Sequence, residues 1–293
     1  MRMEESFWMR LCRKLGWTQL AWSLRRLHCP VAPDALVLEV GSGGNPYFRS
    51  NVLLDAFEVT QQRHWAPLVV DRATVLGAVE HLPFRDKSFD FVIASHVFEH
   101  STQPELFLRE LQRVAKAGYI EVPDALMERL NPYRDHRLEI TVRDGRLLVR
   151  KKPDWRTDPV LVELFDSRGK KWIAGETIPR HPFDFHVRYY WDGHIDFTIL
   201  NPEVDADWAA PTEENPGTPR NGLRARVNKR VLQLARGLLS QRKRNIGIKL
   251  DDLLACPECR SADLHIGAER IACSSCHAAY PVRNGLPAMF VKH

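Results

Sequence analysis

LEVGSGGNP, residues 38–46, is the most informative segment of the chain. An apolar run, ALVLEV (35–40), passes straight into Gly41, Gly43 and Gly44. Glycine lets a backbone turn sharply and approach a ligand that a Cβ would hold away. The pattern G-x-G-G is shorter than the dinucleotide fingerprint, so alone it fits a ligand loop or a plain glycine-rich turn. Its surroundings favour the first. NVLLD (51–55) reads as a second strand, ending in Asp55, where a carboxylate can accept ribose hydroxyls. PLVVD (67–71) reads as a third strand, with SFDFVIASHVF (88–98) and GYIEVP (118–123) beyond it. PELFLRELQRVAK (104–116) has helical spacing, with Pro104 suited to its first turn. Repeated strand–crossover–strand units predict an α/β fold, a Rossmann-like, mostly parallel sheet with ligands at the carboxyl ends of its strands.

LEVGSGGNP, then VEHLPFRDKSFDFVIASHVFEH (79–100), then LFLRELQRVAKAGYIEVP (106–123), resembles the class I S-adenosylmethionine-dependent methyltransferases, specifically the type-11 domain. The resemblance covers about residues 35–125 and implies S-adenosyl-L-methionine as methyl donor. It implies that Glu39, Gly41, Ser42 and Gly43 form the loop for the cofactor's amino-acid side, that Asp55 holds the ribose, and that Val79 and Glu80 flank the adenine. The chain departs from the family twice. The segment before Asp55 is short and contains Asn45-Pro46, leaving little room for a first crossover helix, so Asp71 competes for the ribose role. Ala78 stands where many relatives carry Asp, so a side-chain contact to the adenine amino group must come from elsewhere.

Methyl transfer from a sulfonium is an in-line displacement that needs proximity, alignment and, for some acceptors, a base. Ser95, His96, Glu99 and His100 lie just past the fourth strand. Ser95 is placed to touch cofactor; His96 and His100 are the candidate bases, with cofactor contact or helix capping as the alternative, and His136 is a more distant candidate. Neither a nucleophilic triad nor an H-E-x-x-H helix occurs, which leaves hydrolase readings without support.

Beyond residue 137 the pattern changes. Asp144-Gly145 and Asp192-Gly193 each lie between alternating strands and predict two β-hairpins. Phe183, Phe185, Tyr189, Tyr190 and Trp191 could line an acceptor site or pack a core. At the N-terminus, Phe7, Trp8, Leu11, Leu15, Trp22 and Leu27 can share a helical face, which predicts a helix packed on a domain, or one in a membrane interface. Residues 208–222 read as a Pro/Gly-rich linker, and Val227, Val231, Leu234, Leu238 and Leu239 have helical spacing. From Pro216 to Leu250 there is no acidic residue, whereas Arg220, Arg224, Arg226, Lys229, Arg230, Arg236, Arg242, Lys243, Arg244 and Lys249 are basic. Such a block either attracts an anionic partner or forms a solvated helix face.

Cys256-x-x-Cys259, thirteen residues, then Cys273-x-x-Cys276 is zinc-ribbon spacing. Four thiolates close a tetrahedral structural Zn2+ site with no open position for catalysis. LDDLLACPEC (250–259) and AAYPVRNGLPAMF (278–290) around it resemble the small zinc-ribbon activator subunits that bind and stabilise methyltransferases. That resemblance covers about residues 249–291 and implies an activator fused to its enzyme. The expected organisation is an N-terminal amphipathic helix region (1–34), a methyltransferase domain with its hairpin extension (35–207), a linker and basic helix (208–248) and the ribbon (249–293). Cys12 and Cys29 show no disulfide framework, and a cytoplasmic setting is expected. The expected activity is methyl transfer to an O or N atom of a small molecule or glycan-type intermediate. RNA or a translation protein is the alternative acceptor, a non-catalytic binding module the second alternative. Oligomeric state is not legible.

Overall fold

The computed structural model describes residues 5–60, 67–209, 234 and 236–291. Three sheets occur among them. Strands β1 (Val37–Val40), β2 (Val52–Asp55), β3 (Thr74–Leu76), β4 (Phe91–Ser95), β5 (Ala117–Pro123) and β8 (His186–Asp192) form a six-stranded sheet in the order β3-β2-β1-β4-β5-β8. Strands β6 (Leu138–Arg143), β7 (Arg146–Lys151) and β9 (Phe197–Ile199) form a second, and β10 (Leu264–Ile266), β11 (Arg270–Cys273), β12 (Ala279–Arg283) and β13 (Leu286–Pro287) a third. The chain divides into two compact units that are interleaved in sequence.

The unit containing Pro33–Ile93, Leu106–Ala117 and Glu213–His293 holds β1, β2 and β3. All residues of these strands are buried, as expected for continuous apolar runs in a parallel sheet. β2 pairs with both neighbours in parallel, Glu39 opposite Leu53 and Asp55 opposite Leu76. The connection from β1 to β2, Gly41 to Asn51, contains no helix, as Asn45-Pro46 implied. The third strand is Thr74–Leu76, not PLVVD (67–71), which corrects the sequence reading. Leu68 N–H donates to Glu58 O at 2.9 Å and Val69 N–H to Gly43 O at 3.1 Å, so this apolar run closes back on loops instead of joining the ladder.

The zinc-ribbon segment is in the same unit. The short helix Arg242–Ile246 precedes it, and β10 to β13 pair antiparallel in sequence order. Asn284 and Gly285, both at positive φ (51° and 77°), make the β12–β13 turn. The ribbon joins the edge strand of the large sheet. Leu76 and Ala288 form a parallel bridge, and Met289 N–H donates to Leu76 O at 2.8 Å. Farther along, Phe84 and Leu254 form an antiparallel bridge, flanked by Arg85 N–H to Leu253 O (2.9 Å) and Ala255 N–H to Pro83 O (3.0 Å). Phe84, Leu254 and Met289 are completely buried. An edge strand presents unpaired backbone groups, and the ribbon covers those of β3.

The other unit contains Met1–Ala32, Ala94–Glu105 and Gly118–Thr212. The hairpin at Asp144-Gly145 forms as expected, Arg143 opposite Arg146, both turn residues at positive φ. The second expected hairpin does not form. Asp192 makes a lone bridge to His194, while β9 pairs in parallel with β7, Leu147 opposite Phe197. Ile195, fully buried, packs in the core at the point where an extended hairpin would have continued. Tyr189 and Trp191 are buried, consistent with the packing alternative for those aromatics. The N-terminal helix also differs from expectation. It splits at Gly16-Trp17 into α1 (Phe7–Lys14) and α2 (Thr18–Leu24), and it buries Met9, Cys12 and Ala21. Phe7, Trp8, Leu15 and Leu27 are exposed. No described helix is long and apolar enough to cross a membrane.

Candidate active site and metal centre

The glycine loop follows β1 directly. Gly41 and Gly43 have φ of 65° and 58°, a region that L side chains rarely adopt. Two buried carboxylates brace the loop. Glu39, inside β1, accepts from Tyr47 N–H at 2.8 Å and from the Ser50 hydroxyl at 2.6 Å. Asp55, at the end of β2, accepts from Gly43 N–H through Oδ2 (2.9 Å) and from Phe57 N–H through Oδ1 (3.0 Å). Ser42 N–H donates to Leu54 O at 3.2 Å, whereas the Ser42 Oγ is buried without a hydrogen-bond partner. A buried hydroxyl of this kind is costly unless a ligand satisfies it. Val79 and Glu80 begin a single turn just past β3, and Gly77 N–H donates to Asp55 O at 3.0 Å. Thus Glu39, Gly41, Ser42, Gly43, Asp55, Val79 and Glu80 gather around the ends of β1, β2 and β3. These residues fit a ligand with an amino-acid end and a diol. Asp71 differs: it is exposed and forked onto Arg72, with contacts of 2.7 and 3.1 Å.

Ser95, His96, Glu99 and His100 lie in the other unit. The Ser95 hydroxyl donates to Glu121 Oε1 at 3.2 Å. Glu121, fully buried, also receives Arg25 Nε (2.7 Å), Arg25 Nη2 (3.0 Å) and the Tyr119 hydroxyl (2.5 Å). Burial alone would raise this carboxyl, but bonds from His96 and Arg25 outweigh it and hold it well below its ordinary value. His96 has a positive φ of 55° and lies between Glu121 (Nε2 to Oε1, 3.3 Å) and Glu99 (Nδ1 to Oε1, 3.5 Å). Burial lowers its affinity for a proton, yet the two carboxylates raise it to about 9. Both ring nitrogens of His96 thus face carboxylates. His100, by contrast, is lowered by burial, and its Nδ1 lies 3.2 Å from Asp135 O. The His136 Nδ1 makes a short contact with Glu128 Oε1. Sequence reading missed Glu121, although one acidic residue in the apolar strand GYIEVP is a signal of a buried partner. It had no comparable means to find Arg25 or Glu128.

The four ribbon cysteines come together as expected and form no disulfide. Cys256 Sγ lies 3.6 Å from Cys276 Sγ, and Cys259 Sγ 3.5 Å from Cys273 Sγ. Four thiolates about 2.3 Å from one Zn2+ would be about 3.8 Å apart at the tetrahedron's edges, so the donor set fits the ion. Arg260 and His277, each next after the second cysteine of its pair, take positive φ (63° and 61°). This lets Arg260 N–H reach Cys256 O (2.7 Å) and His277 N–H reach Cys273 O (3.0 Å), closing both knuckles. The Tyr280 hydroxyl, 3.0 Å from Cys256 Sγ, supports the centre from outside the ligand set. Arg260 also bonds buried Glu110 at 3.2 Å, and Glu110 accepts Leu82 N–H at 2.8 Å.

Residues 38–120 match the methyltransferase-domain family model (type 11), and residues 248–285 match the Trm112p-like protein model. A UPF0434 protein of Nitrosococcus oceani is 40% identical over 42 residues, which is 14% of this chain and 71% of the relative. Among solved structures, a complex of the Haloferax volcanii Trm112 methyltransferase activator with a methyltransferase aligns with 63% of this chain and 92% of its own, at 17% identity and a TM-score of 0.34. An S-adenosylmethionine-dependent methyltransferase of Thermotoga maritima aligns with 40% of this chain and 56% of its own, at 20% identity and a TM-score of 0.28. The protein is an S-adenosylmethionine-dependent methyltransferase with a structural zinc centre, and the non-catalytic reading is set aside. The chain thus carries a methyltransferase domain over residues 38–120, and through its C-terminal ribbon it belongs to the Trm112p-like family with its UPF0434 relatives.

Proposed function

We propose that this enzyme methylates an oxygen or nitrogen of a small molecule or glycan-type intermediate, and that its ribbon acts in cis as a built-in activator. The donor supplies an electrophilic methyl group on a sulfonium. Glu39, Gly41, Ser42 and Gly43 would hold its amino-acid side, Asp55 its ribose hydroxyls, and Val79 and Glu80 its adenine. Asp55 accepts Gly43 N–H through one oxygen and Phe57 N–H through the other, so the carboxylate is oriented before the ligand arrives. Asp71 is committed to Arg72, which supports Asp55 in this role. The Ser95 hydroxyl is held on Glu121.

The observation that carries the acceptor class is the use made of the basic stretch. Arg236 donates to Gly44 O (3.1 Å) and Asn45 Oδ1 (3.0 Å), and Arg244 reaches the carbonyls of Pro33 (3.0 Å) and Ala35 (2.9 Å). These cations brace the glycine loop and the entry to β1, which leaves fewer for phosphates. Residues 210–233, which hold Arg220 to Arg230, lie outside the described residues. The test is to supply methyl-labelled S-adenosylmethionine and host extract separated into RNA, protein and small-molecule plus lipid fractions. Label in the last fraction is expected. Label in RNA, with binding that falls steeply as salt rises, would overturn this acceptor class.

A further inference from the structure

A second set of metal-ligating side chains, outside the cysteine centre, lies in the unit built on β6 and β7. One ligand atom from each of Glu99, His100 and His136 lies within 4.8 Å of the other two. The peptides are pinned together, because Arg137 N–H donates to Glu99 O at 2.7 Å. The His100 and His136 rings meet edge to face at 4.8 Å between centroids.

The surroundings prepare these groups as ligands. Ligating histidines characteristically donate their other ring N–H to a carboxylate or carbonyl, which fixes tautomer and ring orientation. His136 Nδ1 is on Glu128 Oε1, and Glu128 Oε2 receives Lys152 Nζ at 3.2 Å. His100 Nδ1 is on Asp135 O at 3.2 Å. With Nδ1 thus engaged, Nε2 is the ring nitrogen each histidine has left for an ion. Glu99 completes the set. Its Oε1 faces His96, while Oε2 is buried without a hydrogen-bond partner, in a residue only 2% exposed. A buried carboxylate oxygen left unpaired is costly, and a cation removes that cost. The His100 side chain is 24% exposed, which gives an ion a route in.

We propose that Glu99 Oε2 and the Nε2 atoms of His100 and His136 bind one divalent transition-metal ion. Two imidazoles and a carboxylate suit zinc or iron(II) and leave coordination positions open. The assignment makes His100 a ligand, not a general base. Glu128 and Asp135 position the ligands from outside.

The test uses the full-length protein with its cysteines first saturated by one equivalent of zinc, then titrated with Co2+. Visible d–d absorption without new thiolate charge-transfer bands is expected, saturating at one further equivalent. Glu99→Gln and His136→Ala should each abolish that band and leave the zinc at the cysteines. Glu128→Gln, which keeps all three ligands, should weaken cobalt binding by about 10–100-fold. A wild-type protein that develops no such band overturns the assignment irrespective of how the variants fold. A band that persists at full strength in both Glu99→Gln and His136→Ala overturns it as well.

Discussion

Met289→Ala tests whether the ribbon holds the sheet edge as an activator in cis. Met289 is completely buried, and its backbone N–H, which alanine retains, is bonded to Leu76 O. The substitution therefore removes side-chain packing and leaves the bridge chemistry in place. Truncating a fully buried methionine costs about 2–5 kcal/mol, through lost transfer free energy and the cavity left behind. That cost exists only while the ribbon is folded and docked. The ribbon is small, so metal binding supplies much of its folding free energy. Cys259 and Cys276 are exposed, so replacing both by serine dismantles the zinc centre with little loss of core packing. In that background Met289→Ala should cost less than about 0.5 kcal/mol, and the coupling between the sites should be about 2–4 kcal/mol. The assay is urea unfolding of the four proteins in the cycle, with S-adenosylmethionine affinity measured on each. Affinity should fall in the cysteine variant, because Leu76 and Phe84 on the edge flank the Val79-Glu80 turn. Equal costs of Met289→Ala in both backgrounds, with unchanged affinity, would mean that the ribbon does not hold the sheet edge.

Asp55→Ala should lower S-adenosylmethionine affinity by at least about tenfold and destabilise the loop, since orphaning the Gly43 and Phe57 N–H groups costs about 1–3 kcal/mol each when they stay buried. Calorimetric titration checks it, and Asp71→Ala should leave affinity near the wild-type value. Arg25→Ala should cost about 3–5 kcal/mol at neutral pH by leaving Glu121 buried with fewer donors. The Glu121 carboxyl is depressed in the folded state. Its contribution is therefore present above the ordinary value of 4.5 and lost as pH falls below it. The gap between Arg25→Ala and wild type should narrow in acid, and parallel pH–stability curves would count against this account. Tyr280→Phe should weaken zinc binding about 10–100-fold in a chelator competition, through loss of the bond to Cys256 Sγ.

Much of the molecule was legible because its signals are local. LEVGSGGNP placed β1 and its loop, since a buried strand running into glycines has few other solutions. Asp144-Gly145 and the cysteine spacing did the same for one hairpin and the metal centre, where turn geometry and coordination number act over a few residues. The misreadings arose where tertiary partners outweighed local pattern. PLVVD is as apolar as a strand, yet Leu68 and Val69 found loop carbonyls before the ladder. Asp192-Gly193 has a hairpin's turn chemistry, but β7 offered β9 a parallel edge.

Periodicity, glycine placement and ligand spacing are written along the chain, and they suffice for the parallel sheet, the glycine loop and the four-thiolate centre. No local pattern announces that the ribbon closes the β3 edge, that Arg236 and Arg244 brace the loop at β1, that His96 lies between two carboxylates, or that Glu99, His100 and His136 converge. Those outcomes depend on which backbone groups and charges meet across long stretches of chain. Desolvation then makes each such meeting stabilising or costly.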